Sequence, residues 1–158
     1  MFALRPFTLS ILAGFVALST GCALTPTAST QITYENTIRH LIEKQCFECH
    51  GSKAPVMSEF KKDEKGYEAK DIGPRMDTYE HLIVMINGSD TGAIMRRLDD
   101  GTHTKNGKPG NMYKNLGSND TQRAANLSLF KSWIGSWNLK RAKEMNDEER
   151  KSILIPRN

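Results

Sequence analysis

The chain has 158 residues, of which 38% are hydrophobic and 25% charged, a composition that excludes a disordered chain and suits one compact domain rather than two. Its formal net charge is +4, too slight a balance for nucleic-acid binding, which calls for a strongly basic face.

Residues 1–22 read as a signal sequence. Arg5 supplies a positive start, Phe7 to Leu18 is an apolar run, and the small residues Ser19, Thr20 and Gly21 precede Cys22. The run is shorter than the roughly 20 apolar residues that span a bilayer. A small residue followed by cysteine resembles the end of a bacterial lipoprotein signal, which makes Cys22 the expected lipidation site. The expectation is then an exported chain, periplasmic or held at the outer membrane only by that lipid. Ordinary cleavage, which discards Cys22, is the competing reading. Residues 23–32 are rich in Thr, Ser, Ala and Pro and have no periodicity, as a flexible tether would.

The domain proper is expected over residues 33–138. Tyr34, Ile38, Leu41 and Ile42 recur at helical spacing and predict a helix over 33–46. Residues 51–74 are punctuated by Gly51, Pro55, Gly66, Gly73 and Pro74 and read as a long loop. A second helix is predicted over 78–87, capped by Asp77 and stopped at Gly88, and a shorter one over 92–99. The turn-rich stretch 100–111 leads directly to Met112. Residues 119–137 form the strongest helical pattern, with Asp120 as cap and Ala124, Leu127, Phe130, Ile134 and Trp137 as one apolar stripe. Residues 139–158 are a charged extension with a last helix expected over 146–154. Neither a repeat nor a strand pattern is evident, so the class is all-α.

Cys46-Phe47-Glu48-Cys49-His50 is the C-x-x-C-H signature of covalent c-type haem attachment. Two thiols three residues apart can add to the two vinyl groups of one haem, and the next residue then projects an imidazole at the iron. A thioredoxin-like dithiol would sit at a helix start after a strand, whereas here a predicted helix precedes Cys46. A zinc site needs about four ligands, and His40, His81 and His103 are scattered. One motif predicts one haem c, held by Cys46, Cys49 and His50.

From this motif onward the chain resembles small bacterial class I cytochromes c. The resemblance covers about residues 30–137 and is carried, besides the motif, by Thr78-Tyr79-Glu80-His81-Leu82, by Gly92-Ala93-Ile94-Met95-Arg96-Arg97-Leu98, by Gly110-Asn111-Met112-Tyr113 and by Leu129-Phe130-Lys131-Ser132-Trp133-Ile134. It implies a small helical domain wrapped around one covalently bound haem, with a late methionine as the sixth iron ligand. Met112 stands where that family places the ligand, and Gly107, Pro109 and Gly110 let the segment before it fold back. Met76, Met57 and His81 are the alternatives, and an open sixth position is a further one.

The function implied is electron transfer with His50 and Met112 as axial ligands and no enzymatic step, in exchange with redox protein partners. Lys53, Lys61, Lys62, Lys65, Lys70, Lys105, Lys108 and Lys114 are suited to steering an acidic partner. The alternatives are a haem subunit of a larger oxidoreductase and a peroxidase-like or gas-binding protein with an open iron.

Overall fold

The first helix begins with a reciprocal cap at Thr33. Its hydroxyl accepts from the Asn36 N–H at 3.2 Å, and the Asn36 side-chain oxygen accepts from the Thr33 N–H at 2.9 Å. The computed structural model describes residues 31–158, so the signal sequence, Cys22 and most of the tether lie outside the described residues. From Thr33 a π-helical turn, Tyr34–Ile38, leads into α1, Arg39–His50. The helix thus runs through the whole cysteine motif, four residues past the end expected from hydrophobic spacing. It can do so because other segments take its last carbonyls, as described below.

The presumed loop 51–74 holds two short helices, α2 (Met57–Phe60) and α3 (Glu64–Glu68). Asp63 caps α3 by accepting from the Gly66 N–H, and Phe60 is buried and stacks on Tyr67 with centroids 5.8 Å apart. Helix α4 spans Tyr79–Asn87 and α5 spans Ala93–Leu98. The cap of α4 is Thr78 and not Asp77, whose carboxylate is taken by the Arg75 guanidinium at 2.6 and 2.8 Å. After a 3-10 turn at Tyr113–Leu116 comes α6, Asp120–Ile134, capped by Asn119 where Asp120 was expected. It stops at Gly135, whose φ of 77° ends the helical path, so Trp137 lies beyond it, and Ala124 is exposed and off the buried face.

Leu127, Phe130, Trp133 and Ile134 of α6 form the centre of the core, against Ile38, Leu41 and Ile42 of the first helix, Leu82, Met85 and Ile86 of α4, and Ile94, Met95 and Leu98 of α5. Each such side chain contributes about 1.5–3 kcal/mol on burial. Among the described residues the β pairing is confined to an isolated bridge between Gly135 and Ile153, and the class is all-α.

The charged residues 139–158 are docked to this core. They include a 3-10 turn at Ala142–Glu144 and α7, Asp147–Lys151, shorter than the 146–154 expected. Ile153 is buried, and the Leu154 and Ile155 N–H groups donate to the carbonyls of Ile134 and Trp133 at the end of α6. The Pro156 carbonyl accepts from Tyr34 N–H at 2.9 Å and from the Trp133 indole N–H at 2.8 Å, and that of Arg157 accepts from Glu35 N–H at 3.1 Å. Helix starts leave N–H groups without partners, and here the tail supplies them while binding the end of α6. No helix among the described residues is long and apolar enough to cross a membrane.

Candidate functional site

Cys46, Cys49 and His50 occupy the last turn of α1, all half-buried. The segment Gly73–Met76 comes back across that turn. Gly73 N–H donates to the Cys49 carbonyl at 3.0 Å and Met76 N–H to the His50 carbonyl at 2.9 Å, while Arg75 N–H donates to Pro55 O at 2.8 Å. The first two of these bonds satisfy carbonyls that the end of α1 would leave open. They also set the Pro74 carbonyl 2.8 Å from His50 Nδ1. A carbonyl only accepts, so Nδ1 carries the proton and Nε2 is left with the ring's lone pair, the form an iron requires. A Cβ on residue 73 would overlap the imidazole ring, so only glycine lets the loop approach this closely. Burial lowers the His50 pKa, the Pro74 bond works against it and the Arg97 charge adds to it, so the ring is kept neutral.

The Cys46 thiol is in the opposite condition from a redox thiol. Burial, with a smaller contribution from Cys49, pushes the Cys46 thiol up to about 12. Reactive C-x-x-C pairs have depressed pKa values at helix N-termini, whereas Cys46 sits in the last turn of α1, near a C-terminus whose partial negative charge disfavours a thiolate. Zinc finds no tetrad either: the one cluster of three potential ligands among the described residues is Asp99, Asp100 and His103, on another loop. A neutral imidazole with a free Nε2 next to two unpaired, adjacent thiols is the donor set of a c-type haem, and the residues present fit it.

Met112 lies at the mouth of the 3-10 turn Tyr113–Leu116, which packs on α1, α5 and α6. Its N–H donates to the Arg97 carbonyl at the end of α5 at 3.0 Å, its side chain is partly buried against the core, and the Asn115 amide is 3.3 Å from its sulfur. Arg97 therefore relates to both Met112 and His50: its carbonyl accepts from the Met112 N–H, and its charge acts on His50. Gly110 is pressed on the Arg96 and Arg97 carbonyls, with no room for a Cβ, and its N–H donates to the Asp99 carbonyl at 2.8 Å.

The alternatives are placed elsewhere. Met76 is buried in the core and bonded through its backbone to His50 itself, on the imidazole's own side. Met57 opens α2 and packs against the core, and Met85 and Met95 are buried within α4 and α5. His81 Nδ1 is 3.1 Å from both Thr78 Oγ1 and Asp77 Oδ1, His103 Nδ1 is 2.9 Å from Asp99 Oδ2, and His40 is exposed. Sequence reasoning missed Gly73, Pro74, Arg97 and Asp99. The Gly-Pro pair was visible as loop punctuation, but its meeting with His50 spans 24 residues of chain.

What this fold and site define is a small c-type cytochrome with a single haem. The family model described as PccH cytochrome c matches residues 33–153, and the chain belongs to that family. Among solved structures it is similar to the monoheme cytochrome PccH from Geobacter sulfurreducens, with 44% sequence identity and a TM-score of 0.74 over 80% of this chain and 98% of that one. No curated protein sequence matches. The family's haem-based electron transfer is thereby the function of this chain, and its matched span takes in most of the docked tail.

Proposed function

We propose that this protein is an exported electron carrier that holds one haem c through thioethers at Cys46 and Cys49 and ligates its iron with His50 and Met112. The observation that carries the reading is the Pro74 carbonyl at 2.8 Å from His50 Nδ1, which prepares the imidazole as a ligand directly beside two thiols. When bound, the haem supplies an iron that alternates between ferric and ferrous states. The chain's part is to keep His50 neutral and oriented, to close the Met112 loop on the end of α5, and to exclude water with the α4, α5 and α6 side chains. Thioether ligation favours ferrous iron over what a second imidazole would give. With both axial positions filled, no substrate site is needed, and the protein acts as a carrier rather than an enzyme.

Donor and acceptor are redox proteins with an acidic face. Lys53, Lys61, Lys62, Lys65, Lys70, Lys105, Lys108 and Lys114 are all exposed, although Lys61 is 3.4 Å from Asp90. Export follows from the signal-like residues 1–22, with Cys22 as the proposed lipid anchor, so any membrane attachment is through that lipid. The test is the visible spectrum of Met112→Ala: the methionine-to-iron band should vanish and the ferrous protein should bind carbon monoxide. An unchanged low-spin spectrum would place the sixth ligand on another residue.

A further inference from the structure

Among the described residues Asp99 is the one aspartate whose side chain is wholly removed from solvent, and no lysine or arginine there pairs with it. Its Oδ1 accepts from the N–H groups of Gly101 and His103 at 2.9 and 3.2 Å. Its Oδ2 accepts from His103 Nδ1 and from the Trp137 indole N–H, both at 2.9 Å. A carboxylate has about four lone-pair sites, and all are occupied. The cluster of Asp99, Asp100 and His103, which by composition could hold a cation, is therefore a clasp made of hydrogen bonds. The main chain of the same residue closes the other end of the loop, since the Asp99 carbonyl accepts from Gly110 N–H at 2.8 Å. One residue thus fixes the start of the 100–112 loop through its carboxylate and the end through its carbonyl. The next hydrogen bond along, Met112 N–H to Arg97 O, belongs to the same helix end.

We propose that Asp99 is a positioning residue for the iron ligand: by holding both ends of the 100–112 loop, and by anchoring it to Trp137 beyond α6, it sets how firmly Met112 stays on the haem. This rests on the reading of Met112 as the sixth ligand. Burial alone would raise the Asp99 pKa, yet the bonds from Trp137, His103 and Gly101 outweigh it and hold the carboxyl below the usual aspartate range, so it is ionised at neutral pH. Half-buried contacts near the loop add little: Lys131 Nζ is 3.6 Å from Asp100 and 5.7 Å from the centre of the Trp137 ring. In Asp99→Asn a single acceptor oxygen replaces two and the amide nitrogen faces donors, so at least one of the four bonds is lost without a change of volume.

The experiment is stopped-flow binding of cyanide to the ferric holoprotein, in which Met112 must leave the iron before the anion can enter, together with the intensity of the methionine-to-iron band. Asp99→Asn should bind cyanide about tenfold faster, the factor that one charge-assisted hydrogen bond is worth, and Trp137→Phe should move the rate in the same direction by about threefold. Ile153→Ala, which weakens the core from the tail side, should keep the wild-type rate and thereby separate loop loosening from general destabilisation. Should Asp99→Asn fail to yield holoprotein, Trp137→Phe decides the matter alone. Wild-type cyanide rates and an undiminished band in the variants that fold would overturn the positioning role while leaving Met112 as ligand. A band that survives in Met112→Ala would remove the ligand reading itself, and the positioning role with it.

Discussion

The His50 region and the Met112 region, the two halves of the proposed haem site, are held in different ways. On the His50 side, a four-residue return segment is held by two backbone hydrogen bonds of 2.9–3.0 Å to the helix end and a third of 2.8 Å to Pro55, and a glycine packs directly on the ring. On the Met112 side, an exposed loop is tied to the end of α5 through Gly110 and Met112 and shaped by one buried carboxylate. The first arrangement is rigid because its bonds satisfy groups that a helix end must satisfy anyway. The second depends on side chains distant in sequence, so it can be loosened without unfolding the domain. In the proposed carrier such an asymmetry would keep the His50 ligand constant and let the proposed Met112 ligand set how the iron responds.

The largest expected effect is on the rigid half. Gly73→Ala forces a methyl group into the His50 ring, and the loop cannot withdraw without breaking the Gly73, Arg75 and Met76 bonds. It should cost toward the upper end of the about 1–3 kcal/mol typical of overpacking. In denaturant titrations of the holoprotein this appears as a lower midpoint, together with a changed proximal-histidine signature in the Raman or NMR spectrum. Gly110→Ala is the matching change on the other half, against the carbonyls of Arg96 and Arg97. Its effect on stability should be smaller, about 1–2 kcal/mol, because the surface loop can lift. The methionine-to-iron band should weaken while the histidine signature stays, and equal responses of both signatures to both variants would break the comparison.

Acid sharpens the contrast further. Asp99 has a folded pKa below its unfolded one, with His103 as its titratable neighbour and Asp100 and Lys131 close by. Its contribution is therefore fully present above the ordinary aspartate pKa and is lost as pH falls through the depressed folded value. The stability gap between wild type and Asp99→Asn should stay constant from neutral pH down to that ordinary value and then close, as thermal melts across the acid range would record. The smallest effect is expected from Lys131→Gln, which removes a half-buried ion pair at 3.6 Å and a cation–π contact and should alter the melting free energy by less than about 1 kcal/mol.

How far these features were legible in the sequence follows the same division. Cys46, Cys49 and His50 could be read directly, because thioether and imidazole chemistry demands a fixed local spacing. The four longest helices could be read from periodicity, with caps one residue off where Thr78 and Asn119 compete with neighbouring aspartates. Helices α2 and α3 escaped because four or five residues cannot display a period. The tail looked like a solvated extension because its charges conceal one buried residue, Ile153, and because its main chain, invisible to composition, makes most of the docking bonds. Asp99 looked like the end of a short helix, and Trp137 like the end of a long one. Only Gly135 turning the chain away brings the indole N–H to that carboxylate, 38 residues earlier.

Denaturing mass spectrometry of the purified protein with fragmentation shows whether one haem is bonded to the end of α1. The mass should exceed that of the processed chain by one haem, with the addition confined to the peptide containing Cys46 and Cys49 and absent when both are changed to alanine. A chain at its bare polypeptide mass after denaturation, or a haem retained by the double variant, would contradict that attachment.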